Sequence, residues 1–124
     1  MDFQLIPMTV RSIFVAKQGT AVIFAVPLDV SGLPSGSIGG YDLDFRAKRT
    51  LSQSGYDIYF PVGSSGSVVA LDYQTIGVSF QPIDTQTLLP GDYFWEIGLY
   101  GSADGVYTRT PYTAYGELFL LKSL

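Results

Sequence analysis

A chain of 124 residues without cysteine or histidine has room for one domain and one core, and it lacks both a thiolate and an imidazole base. Its net charge of −4, with seven scattered Lys and Arg, leaves out the basic stripe that nucleic acid requires. Charged residues make up 15% of the chain, against about 25% in ordinary domains, and aromatic residues another 15%, so part of the surface is expected to lie under other protein.

Met1-Asp2-Phe3 opens on an acid without a basic n-region, and no apolar run approaches the roughly 20 residues that span a bilayer. Neither a signal peptide nor a membrane segment is expected. Helix signals are nearly missing; short β-branched and aromatic runs alternate with Gly, Ser, Pro and Asp. Residues 3–6 and 10–16 read as a first strand or arm, interrupted at Pro7. Residues 20–28 put Val22, Phe24, Val26 and Leu28 on one face. Residues 29–40 form a long Gly-rich connection, expected to be mobile or bound to a partner. Residues 41–48 alternate, with Tyr41, Leu43, Phe45 and Ala47 inward and Asp42, Asp44, Arg46 and Lys48 toward water.

Residues 56–60 make the next strand, closed by Pro61, and residues 63–67 make a turn. Two strands follow at 68–71 and 76–81, the second facing Ile76, Val78 and Phe80 inward. Residues 84–89 fit a single helical turn. A corner comes next: Pro90 fixes φ near −65° and Gly91 tolerates positive φ. Beyond it, Tyr93, Trp95, Ile97 and Leu99 share one face, while Phe94, Glu96, Gly98 and Tyr100 share the other. Residues 101–105 read as a hairpin loop and 106–110 as the return strand. Pro111 marks an edge or a break, and 115–121 the last strand.

Eight or nine short strands with short connections imply antiparallel pairing. The fold class is therefore all-β, an antiparallel immunoglobulin-like β-sandwich, with a small barrel as the runner-up. The organisation expected is an N-terminal arm or first strand over 1–18 and a sandwich over 19–124.

Catalytic chemistry is hard to build from this inventory. A Ser-His pair cannot exist without His, and no Gly-x-Ser-x-Gly elbow is present. Asp42 and Asp44 share a strand face roughly 7 Å apart, within the range of a glycosidase pair, but two solvated residues facing Arg46 and Lys48 explain them more simply. The cluster Arg46, Lys48 and Arg49 reads likewise as the wet face of a strand. Asp84, Asp92 and Asp104 sit at turn positions where Asp bonds local backbone, so a calcium site is not the expectation. Gly36, Gly39 and Gly40 lack the Lys and helix of a phosphate loop. No enzyme activity, cofactor or metal is expected. The aromatic surplus points instead to an interface. Phe94 and Tyr100 lie opposite the core face, with Tyr59, Tyr112 and Tyr115 near, and a sugar platform is the alternative use of such rings.

A set of motifs recurs in order: Gly19-Thr20, Leu43-Asp44-Phe45-Arg46, Val78-Ser79-Phe80, Asp84-Thr85, Leu89-Pro90-Gly91-Asp92-Tyr93, Gly105-Val106-Tyr107-Thr108 and Gly116-Glu117-Leu118. From Gly19 onward this order resembles the immunoglobulin-like N-terminal domain of siphophage upper baseplate proteins and related small phage tail and fibre-attachment domains. The resemblance implies a fold motif at Leu89, Pro90, Gly91, Tyr93, Trp95 and Tyr107. It also implies a structural role in a tailed-phage virion, in the tail, baseplate, neck or capsid surface. Synthesis would be in the host cytoplasm, with other virion proteins and copies of the chain itself as partners. Neither nucleic acid nor membrane is expected as a partner, and a glycan is the less favoured ligand. The interface residues expected are Phe3, Leu5, Phe14, Phe94, Tyr100 and Tyr112, with residues 3–15 as an arm that adds a strand to a neighbour.

Overall fold

The computed structural model describes residues 12–31, 33, 36–50, 52–63, 67–103 and 106–123. Eight strands and one short helix follow in order: β1 (Ser12–Lys17), β2 (Val22–Pro27), β3 (Asp42–Lys48), β4 (Ile58–Phe60), β5 (Val68–Ala70), β6 (Thr75–Phe80), α1 (Pro82–Thr85), β7 (Gly91–Ala103) and β8 (Val106–Leu121). They form a five-stranded sheet in the order β1-β8-β7-β3-β4 and a three-stranded sheet in the order β2-β6-β5. The two pack face to face as an immunoglobulin-like sandwich.

The inward residues are those that alternation singles out. Phe45, Ile76, Val78, Phe80, Ile97 and Leu118 are fully buried between the sheets. At the centre, Phe14 lies flat between two rings, 4.0 Å from Phe24 and 4.6 Å from Trp95 by centroid. Trp95 sits two residues after Tyr93, where disulfide-linked immunoglobulin domains place their second cysteine. The stack Phe24–Phe14–Trp95 thus joins the two sheets by ring contact at the position where a covalent bridge would otherwise stand. Such pairs contribute about 0.5–1.5 kcal/mol each beyond area burial.

The corner before β7 is held from several sides. Pro82 opens α1 where a missing N–H costs nothing, and Asp84 accepts the Gln81 N–H at 2.6 Å. Gly91 has φ +138°, outside the reach of most L-residues. The Tyr93 hydroxyl donates back to the Leu89 carbonyl at 2.5 Å, the hydrogen bond of a tyrosine corner. The Gln18 amide donates to the Leu88 carbonyl, and the Gly19 N–H donates to the buried Thr85 hydroxyl at 2.9 Å. The β1–β2 turn is thereby fixed to the corner.

Four expectations change. The pairing is not wholly antiparallel: β1 runs parallel to β8, Ser12 opposite Gly116 through Lys17 opposite Leu121. A parallel pair needs a long crossover, and here the rest of the sandwich is that crossover. Pro111 does not end a strand. β8 is continuous through it, because the register with β7 shifts between Gly98 and Tyr100. That irregularity is where a residue without an N–H fits a ladder. The connection over 29–40 is anchored rather than loose: Val30, Leu33 and Ile38 are buried, and the Ile38 N–H donates to the Tyr73 carbonyl at 2.9 Å. Finally, residues 12–15 of the expected arm add their strand to β8 of the same chain and not to a neighbour, and Phe14 is a core residue and not an interface residue, since β1 turns its ring inward.

Candidate functional site

The outer face of the five-stranded sheet carries the polar and aromatic groups that the core does not use. Register sets their neighbours. Asp44 lies opposite Gly98, Arg46 opposite both Tyr59 and Glu96, and Lys48 opposite Phe94. Glu96 in turn lies opposite Tyr115, and Phe94 opposite Glu117.

Asp44 is not a solvated strand residue. It is fully buried, because Gly98 has no side chain to occupy the space above its own backbone and Tyr100 closes over the carboxylate. One oxygen accepts the Gly98 N–H at 2.9 Å. The other accepts Arg46 Nη2 at 2.5 Å and the Tyr100 hydroxyl at 3.0 Å. A carboxylate taken out of water needs this degree of pairing.

Arg46 extends the network outward. Its Nη1 donates to the Tyr56 hydroxyl at 2.9 Å, and its guanidinium lies over the Tyr56 and Tyr59 rings at 5.1 and 5.8 Å. Glu96 stands 3.8 Å from Nε, which is buried and has no hydrogen-bond partner among the described residues. Burial works against the Arg46 charge, but the hydrogen bond and attraction from Asp44, with a further contribution from Tyr56, outweigh it and raise the pKa above the ordinary arginine value. Lys48 Nζ lies 5.5 Å from the centroid of the same Tyr56 ring and donates to the Gln53 carbonyl.

Together these groups border an open cleft of about 430 Å³, walled by Arg46, Lys48, Tyr56, Phe94, Glu96 and Tyr115 over a floor of Trp95 and Gly116. Tyr56, Tyr59, Phe94 and Tyr115 keep substantial exposed area around it. Gly116 leaves the Trp95 indole its space in the core. A Cβ there would stand 2.6 Å from the indole and overlap the Ser12 carbonyl. Among the described residues no group of three or more His, Cys, Asp or Glu is placed to hold a metal ion.

The expected site residues scatter. Leu89, Pro90, Gly91 and Tyr93 form the corner, and Trp95 is core. Phe94 borders the cleft. Tyr100 supports it from behind, with its hydroxyl on Asp44 and Arg46. Tyr107 pairs with Ser102 in the β7–β8 ladder, and Tyr112 lies in β8 beside the register shift; their side chains are outside the described residues, as are Phe3, Leu5 and Asp104. Tyr56 is the cleft residue that pattern reading passes over. A signal was available in the spacing Tyr56-x-x-Tyr59 beside a strand that faces Arg46.

Neither a protein-family model nor a curated protein matches the chain. Among solved structures it is similar to a chain in the work described as "Structural basis of T cell specificity and activation by the bacterial superantigen toxic shock syndrome toxin-1", with TM-score 0.51 and 14% identity over 94% of this chain and 98% of that one. It is also similar to bovine butyrophilin, with TM-score 0.43 and 14% identity over 94% of this chain, and it spans about half (53%) of that chain's length. At this identity the likeness concerns the fold alone.

Proposed function

We propose that this chain is a non-enzymatic structural component of a tailed-phage virion that docks a neighbouring protein through the outer face of its five-stranded sheet. The observation that carries the docking reading is the ring of exposed aromatics around the ion pair of buried Asp44 with half-buried Arg46. Tyr, Phe, Trp and Arg are the residues enriched where protein partners bind. Two of these side chains are held before a partner arrives: Arg46 ties the Tyr56 hydroxyl, and Asp44 ties Arg46. Pre-ordered side chains lose less entropy on binding. The virion setting rests on the sequence resemblance, carried by Leu89-Pro90-Gly91-Asp92-Tyr93 and the later Gly105-Val106-Tyr107-Thr108.

The test replaces two rings that the core does not need, Tyr59→Ala with Phe94→Ala. Incorporation into particles in an assembly assay should fall at least about tenfold, as expected when two aromatic anchors are lost. Incorporation at the unmodified level would remove the reading. A second reading, carbohydrate binding, is favoured by the tilted Tyr56–Tyr59 pair, whose centroids lie 5.5 Å apart beside the cleft. It requires that the isolated chain bind oligosaccharides in calorimetry and lose the heat on Tyr56→Ala.

A further inference from the structure

The outer face of the five-stranded sheet is polarised across β7. Register sets Glu117 of β8, Phe94 of β7 and Lys48 of β3 in one row. Tyr115, Glu96 and Arg46 stand in the next row, in the same strand order. All six point outward, because the residues that alternate with them, Ala47, Trp95 and Leu118 among them, are buried in the core. An acid on β8 and a base on β3 thus flank Phe94, each about 5 Å away by strand spacing. The cleft has the same two-sidedness. Tyr115, 40% exposed, walls it from β8, while Arg46, Lys48 and Tyr56 wall it from the other flank of β7.

We propose that the neighbour docked on this face is a second copy of the chain, related by a two-fold axis that runs parallel to β7 over Phe94 and Glu96. The inference rests on the docking reading above and gives it a partner. Rotation about that axis carries β3 of one copy over β8 of the other. Lys48 then meets Glu117 of the second copy, and the same contact is made again with the roles exchanged. Tyr115 is carried over Arg46 of the second copy, so that each ring enters the other copy's cleft and lies on its guanidinium. Phe94 meets its own counterpart at the axis, which places aromatic rings at the centre of the contact and the ion pairs on its flanks.

A second copy is the occupant because the charge order matches itself. A row that reads acid, ring, base is its own complement under this rotation, whereas a row with like charges on both flanks would repel its copy. One residue works against the pairing. Glu96 falls at the axis and meets the second copy's Glu96, a repulsion that Arg46 of the same copy, 3.8 Å from each carboxylate, offsets in part. The arrangement therefore makes opposite demands on the two acids of this face: it needs the charge at Glu117 and is opposed by the charge at Glu96. No single acidic or basic partner surface makes that pair of demands together with one for Lys48.

Sedimentation equilibrium of the full chain across a concentration series, with charge-exchanged variants, decides the matter. The mass of the unmodified chain should rise toward a dimer. Lys48→Glu and Glu117→Lys, each alone, set like charges against each other and should weaken association at least about tenfold. The two together restore opposite charges and should recover most of that loss. Glu96→Gln should tighten association several-fold. A monomer at every concentration overturns the proposal, as does a double variant no better than either single one, or a Glu96→Gln chain that associates more weakly. If a charge-exchanged chain does not fold, the sign of the Glu96→Gln effect decides alone. A monomer whose incorporation into particles still falls on Tyr59→Ala with Phe94→Ala overturns the pairing and leaves the docking reading with a different neighbour. A dimer that obeys the charge exchange while incorporation ignores those two substitutions supports the pairing and removes the docking reading.

Discussion

Asp44 and Tyr93 are polar groups placed where water is scarce, and each is answered by named partners. The Tyr93 hydroxyl has the Leu89 carbonyl, so Tyr93→Phe should cost about 1 kcal/mol in urea unfolding near neutral pH. Burial raises the Tyr93 pKa above the usual tyrosine value; Arg49 pulls it back and Asp57 pushes it up. The folded chain therefore keeps a proton that the unfolded chain releases near about pH 10. The associated stability is complete below that pH and is lost as pH climbs through the raised value. Unfolding curves recorded on the alkaline side should show a shallower decline for Tyr93→Phe than for the unmodified chain.

At the scale of elements, β1, β7 and β8 depend on one small residue. Gly116 pairs with both Ser12 and Trp95. Gly116→Ala should therefore cost about 3 kcal/mol or more by displacing either β1 or the indole, read as a lowered urea midpoint and changed tryptophan fluorescence. Gly55, with open space about it, serves as the control and should change stability by no more than about 0.5 kcal/mol as Ala. Alternation made β3 and β7 readable from sequence, because one face of each meets the core: Leu43, Phe45 and Ala47 in one, Tyr93, Trp95, Ile97 and Leu99 in the other. The burial of Asp44 was not readable. It depends on what lies across the sheet, a glycine at 98 and a tyrosine at 100, and that is register rather than local pattern. The parallel partner of β1 and the tolerance of Pro111 were hidden for the same reason, since both are set by residues far along the chain. Ile38 reads as one apolar residue among glycines and serines, and its burial is legible only once the Tyr73 carbonyl is beside it.

The whole molecule presents an aromatic cleft on the outer face of its five-stranded sheet. Its closure depends on long-range pairing, because β1, the first strand, pairs with β8, the last. Contacts of this kind slow folding relative to helical domains. The same β1–β8 pair has a mechanical side. The chain enters β1 at Ser12, beside Gly116, and leaves β8 at Leu121, beside Lys17, so entry and exit lie at opposite ends of a parallel ladder. Tension applied between positions 12 and 122 shears that ladder and loads its hydrogen bonds together. Tension between positions 17 and 122 starts from one end and peels them in sequence. Single-molecule pulling should find the first geometry several-fold more resistant, and equal forces would refute this. The parallel β1–β8 ladder thus lies in shear along the line from the entry of β1 to the exit of β8.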